Sequence, residues 1–128
     1  MESDINRRSV KYQISSFRFA FFGLGHFYKT ESKAIIHSSA AVLAIILGIW
    51  LHISYIEWLL IVFTIGLVIF AEVFNTAIER ITDLVSPDHH PLAGQAKDLA
   101  AGAVMVMSIV SIMVGSFIFI PKIFHFFK

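Results

Sequence analysis

Trp58-Leu59-Leu60-Ile61-Val62-Phe63-Thr64-Ile65-Gly66-Leu67-Val68-Ile69-Phe70-Ala71 runs for 14 residues without a charge, then continues as Glu72-Val73-Phe74-Asn75-Thr76-Ala77-Ile78-Glu79 with neither proline nor glycine. A helix needs about 20 apolar residues to cross a bilayer core. This run therefore spans only as a helix that continues into the headgroup layer and takes its acids with it. Two further charge-free runs flank it, Ala34–Leu51 (18 residues) and Leu99–Ile120 (22 residues). The chain has 128 residues, 57% hydrophobic and 15% charged. Its mean hydropathy is +0.78. Soluble chains average about 45–50% apolar and about 25% charged, and a small soluble domain cannot bury such an excess. The expected fold is an all-α integral membrane bundle, a single membrane domain over residues 1–128. Its three spans lie at 34–52, 56–84 (with an extension beyond the bilayer) and 98–120.

An interfacial helix over 5–29 precedes the spans. Val10, Ile14, Phe17, Phe21, Leu24 and Tyr28 recur every three or four residues and share one helical face, while Arg7, Lys11, Ser15 and Arg18 lie largely off it. A basic amphipathic helix of this kind lies in the membrane surface. Gly23 and Gly25 are expected to kink or end it. Met1–Arg8 is polar and no short apolar segment with a small-residue cleavage site follows, so no cleaved leader is expected.

Six of the ten Lys and Arg residues precede the first span, and the hairpin His52–Glu57 has none. The positive-inside rule then puts the N-terminus and the 80–97 loop in the cytosol, and the hairpin and C-terminus outside. Pro87, Pro91 and Gly94 predict a turn-rich connection over Ser86–Gln95. A net charge of +1 excludes the dense basic face of a nucleic-acid binder, and the absence of cysteine excludes disulfides, zinc–thiolate sites and thiol nucleophiles. No phosphate-binding loop of the G-x-x-x-x-G-K-[ST] type is present, and no Ser/His/Asp arrangement stands out.

The chemistry concentrates on the second span. Glu72, Asn75, Thr76, Glu79 and Asp83 fall at offsets 0, 3, 4, 7 and 11, within one narrow helical stripe. Acids inside a membrane are costly and mark ion, proton or substrate sites. A divalent cation relieves their mutual repulsion, and Mg²⁺ suits a few carboxylates with phosphate oxygens and water. Lys97-Asp98 is expected to open the third span, where a helix N-terminus attracts phosphate and Asp98 acts as a cap or first-turn acid. The small residues Ala100–Ala103 behind them permit close helix contact. His26, His37, His52 and His125 have no metal-ligand spacing, and His89 and His90 sit together in the loop. Such a site suits a polar cosubstrate from water meeting an amphiphile from the bilayer. A cation-coupled transporter or a non-catalytic small membrane protein is the alternative, though three helices provide no inverted repeat.

The run from Glu72 through Asn75-Thr76-Ala77-Ile78-Glu79, Asp83, Ser86-Pro87-Asp88-His89-His90-Pro91-Leu92-Ala93 and Ala96-Lys97-Asp98 to Val104 resembles the prokaryotic diacylglycerol kinase family. Lys29-Thr30-Glu31 followed by His37, and Gly23 eight residues before Glu31, also fit. The resemblance covers roughly residues 15–121. It implies a homotrimeric, multi-pass kinase of the bacterial inner membrane. The active sites are shared between subunits on the cytosolic side, and the γ-phosphate of MgATP passes to a membrane lipid hydroxyl. Carried over by position, Glu72 is the general base, supported by Asn75, with Lys97 and Asp98 at the nucleotide. Glu31 and Glu79 hold Mg²⁺. Phe19, Asp88, His89 and His90 complete the nucleotide site, and Phe21, Gly23, Leu24, Trp50 and Ala101 join Glu72 at the lipid. The family has a diacylglycerol branch and an undecaprenol branch. Lys29-Thr30-Glu31…His37, Ser86-Pro87…His90-Pro91-Leu92-Ala93 and Ala100-Ala101 look more like the second, and the enterobacterial diacylglycerol type has serine where this chain has Ala101. Phe21-Phe22 before Gly23 matches neither branch.

Overall fold

A computed structural model describes residues 10–88 and 90–127, except the side chains of Val10 and Lys11. The expected helical residues 5–9 and the candidate His89 lie outside the described residues. Among the described residues four helices follow one another: α1 (Val10–Thr30), α2 (Ser32–Trp50), α3 (Tyr55–Val85) and α4 (Pro91–Phe126). The chain divides after Ser32 into two compact units.

The first unit is α1. Gly23 and Gly25 do not break it: its 21 residues run through both. A mid-helix glycine costs only about 1 kcal/mol against alanine, which the turns on either side offset. Serine and threonine hydroxyls bond back into the helix, as Ser16 Oγ does to the Tyr12 carbonyl at 3.0 Å and Thr30 Oγ1 to the His26 carbonyl at 3.0 Å. Arg18 lies over the Phe22 ring, 5.6 Å from its centroid. Ile14, Phe17 and Phe21 of the apolar stripe are all exposed, as a face meant for lipid is.

The second unit is α2, α3 and α4, each long and apolar enough to cross a membrane. The turn between α2 and α3 is tight. His52 takes a left-handed φ of 50°, and Ser54 and Glu57 form a reciprocal capping box, with Ser54 N–H donating to Glu57 Oε2 at 2.6 Å. That S-x-x-E signature is readable in the sequence. Lys122 of α4 reaches the same carboxylate at 3.2 Å, tying three helices together at this end. Directly below, Ile53, Ile61, Ile118 and Phe119 form the buried core, joined by Leu47 and Trp58. Gly48 allows the approach: a Cβ there would sit 2.9 Å from the Trp58 ring. In a bilayer this closeness matters, because helices associate there through packing rather than through water exclusion.

α4 extends beyond the expected span 98–120 at both ends, by seven residues before it and six after. It starts at Pro91, whose missing N–H costs nothing in a first turn, and His90 Nδ1 caps it by accepting from the Leu92 N–H at 3.2 Å. The connection is therefore Ser86–His90, not Ser86–Gln95. At the other end the helix passes through Pro121 to Phe126, held by the Lys122 ion pair and by Ile123 against the core. The 31 residues of α3 rise about 46 Å, against about 30 Å of hydrocarbon. The helix is therefore longer than the hydrocarbon layer, and Glu72, Glu79 and Asp83 all lie in its C-terminal half.

Candidate active site

The stripe on α3 is graded. Glu72, Asn75 and Thr76 are buried, at 3%, 3% and 6% exposure. Glu79 is half-buried and Asp83 exposed. A carboxylate buried in an apolar span needs a partner, and Glu72 has one from another helix: His37 Nε2 of α2 lies 2.9 Å from its Oε1. His37 has no metal-ligand spacing in the sequence. Its signal was positional. In an antiparallel pair, residues equally distant from the turn at 51–54 lie level, which brings residue 37 within about one helical turn of Glu72.

One turn along α3, Asn75 Nδ2 donates to Glu79 Oε1 at 3.0 Å. Asn75 Oδ1 is buried and, among the described residues, has no partner. A fixed carboxylate beside an unpaired amide oxygen is a hard-oxygen donor set. Among the described residues no three His, Cys, Asp or Glu side chains converge into a metal site of their own. The donor set fits Mg²⁺, which takes one or two carboxylates and fills its octahedron with water and phosphate.

Beyond the stripe, the end of α3, the loop and the start of α4 border a recess of about 330 Å³ lined by Asp83, Asp88, His90 and Lys97. Lys97 Nζ pairs with Asp83 Oδ1 there. Because α4 begins at Pro91, Lys97 lies in its second turn. Lys97-Asp98 does not open the helix, Asp98 is not its cap, and the cap is His90. Asp98 and Ala101 are exposed on α4, outside that recess. Ser86 Oγ donates to the Asp88 carbonyl at 3.0 Å, fixing the loop.

Trp50 is set apart from this site. Trp50 ends α2 against the Phe126 ring, 5.0 Å between centroids. It lies 13 residues, or about 20 Å, along the helix from His37. Phe19, Phe21, Gly23 and Leu24 lie on α1 in the first unit, and Glu31 follows it, donating its N–H to the Phe27 carbonyl at 2.9 Å.

The sequence pattern of the family described as prokaryotic diacylglycerol kinase matches residues 18–119. The chain belongs to this family. It is a multi-pass membrane lipid kinase, with ATP as phosphate donor and a membrane lipid as acceptor. It is 40% identical over 123 residues to the undecaprenol kinase of Bacillus subtilis (strain 168), covering 96% of this chain and 100% of that protein. It is 36% identical over 109 residues to a diacylglycerol kinase of a Synechocystis species, covering 84% of this chain and 62% of that protein. The diacylglycerol kinase of Escherichia coli (strain K12) is 34% identical over 74 residues, 58% of this chain and 61% of that one. The chain thus spans less than two thirds of the last two relatives.

Proposed function

We propose that this kinase phosphorylates undecaprenol, working as a homotrimer in the bacterial inner membrane with its active site toward the cytosol. The lipid assignment is supported by the full-length similarity to an undecaprenol kinase. The chemistry is supported chiefly by one observation, the buried Glu72 carboxylate held by His37. Glu72 takes the proton from the lipid hydroxyl. The hydroxyl oxygen attacks the γ-phosphorus, the bond to the β-phosphate oxygen breaks, and ADP leaves. Little covalent work falls to the protein, because phosphoryl transfer depends mainly on positioning and charge neutralisation.

Glu79 and Glu31, with Asn75 Oδ1 nearby on the Glu79 helix, are the residues that would hold Mg²⁺. When bound, the ion neutralises phosphate charge. The recess carrying Lys97, Asp88 and His90 takes the nucleotide, with Phe19, His89 and Asp98 completing it. Lys97 meets phosphate after exchanging its hold on Asp83. The basic N-terminal segment faces the anionic inner leaflet. A trimer supplies Glu31 of one subunit to the Glu72–Glu79 stripe of the next. Phe21, Gly23, Leu24, Trp50 and Ala101 contact the lipid.

Purified protein in nanodiscs, given γ-labelled ATP with undecaprenol or diacylglycerol, tests the reading. Undecaprenyl phosphate should form at least tenfold faster than phosphatidic acid. The opposite preference overturns the lipid assignment, and no transfer to either lipid overturns the catalytic reading.

A further inference from the structure

Behind the His37–Glu72 pair, α2, α3 and α4 leave a cleft of about 190 Å³ whose wall includes His37, Ala41, Ala44, Ile65, Ser108 and Ser111. We propose that this cleft is the subsite for the hydrocarbon next to the reacting hydroxyl, and that it takes an isoprene unit. The inference rests on the undecaprenol reading and goes further, since it locates the chain.

Three observations carry it. The first is continuity: His37 both lines the cleft and holds the Glu72 carboxylate at 2.9 Å, so a chain seated in the cleft ends at the base. The second is direction. From His37 to Ala44 the α2 wall runs two helical turns, about 10 Å, and from Ile69 to Ile65 the α3 wall runs about one turn, both leading away from Glu72 toward the middle of the spans. A membrane lipid whose hydroxyl is at the interface lies along that line. The third is size and polarity. An apolar protein cavity of about 150 Å³ takes a benzene ring, so 190 Å³ accepts a branched five-carbon unit. Alanines leave room on the α2 wall, and aliphatic side chains line the α3 wall. A polyprenol carries its hydroxyl directly on such a hydrocarbon unit. A diacylglycerol carries it on glycerol beside two ester groups, which this wall meets with Ser108, Ser111 and His37, the last engaged by Glu72.

A polyprenol analogue carrying a benzophenone on its first isoprene unit is irradiated with the full-length protein in nanodiscs, and the adducts are mapped by mass spectrometry. Adducts are expected in 37–44 and 108–112, and excess undecaprenol should remove them. Adducts confined to outward-facing positions such as Phe63 or Val106 overturn the proposal. In parallel, Ala41→Leu and Ser108→Leu, which fill the cleft, should raise KM for undecaprenol at least tenfold and leave KM for ATP unchanged. Val106→Leu, on the outward face of α4, should change neither. Variants that melt like the wild type and keep its undecaprenol KM also overturn it. Turnover of the two lipids by the wild type reports on the functional reading alone. The adduct map needs no phosphorylation and reports on the cleft alone.

Discussion

His37 Nε2 and Glu72 Oε1 lie 2.9 Å apart across two helices, and the Glu72 side chain is only 4% exposed. A hydrogen bond to a charged group is worth about 1.5–3 kcal/mol, and a buried charge that loses its partner costs at least as much. His37→Leu should therefore lower kcat by roughly 10–100-fold. His37→Gln, whose amide N–H reaches a similar point, should restore most of it. Steady-state kinetics on both variants checks this. Equal loss in both would mean that the imidazole itself is needed.

Lys97 and Asp83 are paired at the rim of the loop recess. If Lys97 meets phosphate, Lys97→Ala should raise KM for ATP about tenfold or more with little change in KM for the lipid, since one charge-assisted contact is lost. Asp83→Asn should weaken ATP binding far less, because it only releases the lysine. Nucleotide titration of the two proteins separates them.

Asn75 Nδ2 fixes the Glu79 carboxylate at 3.0 Å. Glu79→Gln and Glu31→Gln each remove a hard oxygen and should raise the Mg²⁺ concentration for half-maximal rate. Asn75→Ala should do the same to a smaller degree. Rate against free Mg²⁺ at saturating ATP gives the answer, and unchanged Mg²⁺ dependence in both glutamate variants would place the metal elsewhere.

Gly48 faces the Trp58 ring with no room for a methyl group, whereas a Cβ at Gly115 would meet Phe119 at an ordinary 3.8 Å. Gly48→Ala should destabilise the bundle by about 1–3 kcal/mol, the usual cost of overpacking. Gly115→Ala should be nearly neutral. Thermal unfolding in detergent distinguishes the two.

Much of this fold is legible in the sequence because bilayer physics leaves few options. Charge-free runs of 18, 14 and 22 residues become α2, α3 and α4. The continuous Glu72–Glu79 segment becomes the extension of α3, since nothing in it stops a helix. The ends of α4 were not legible, because proline reads as a terminator. Pro91 instead begins the helix, and Pro121 lies within it, where ion pairing and core packing outweigh one missing hydrogen bond. The stripe of acids was legible from its period alone. His37 was not, because its role depends on a partner 35 positions away, and only the turn geometry of residues 51–54 brings the two level.

The proposed role of the buried Glu72 is to activate a lipid hydroxyl. It is tested most directly by single-turnover transfer of labelled γ-phosphate from ATP to undecaprenol by Glu72→Gln. The expected rate is lower by about 10²–10⁴-fold, the usual contribution of a general base, with nucleotide affinity and melting temperature unchanged. A rate close to wild type would contradict it.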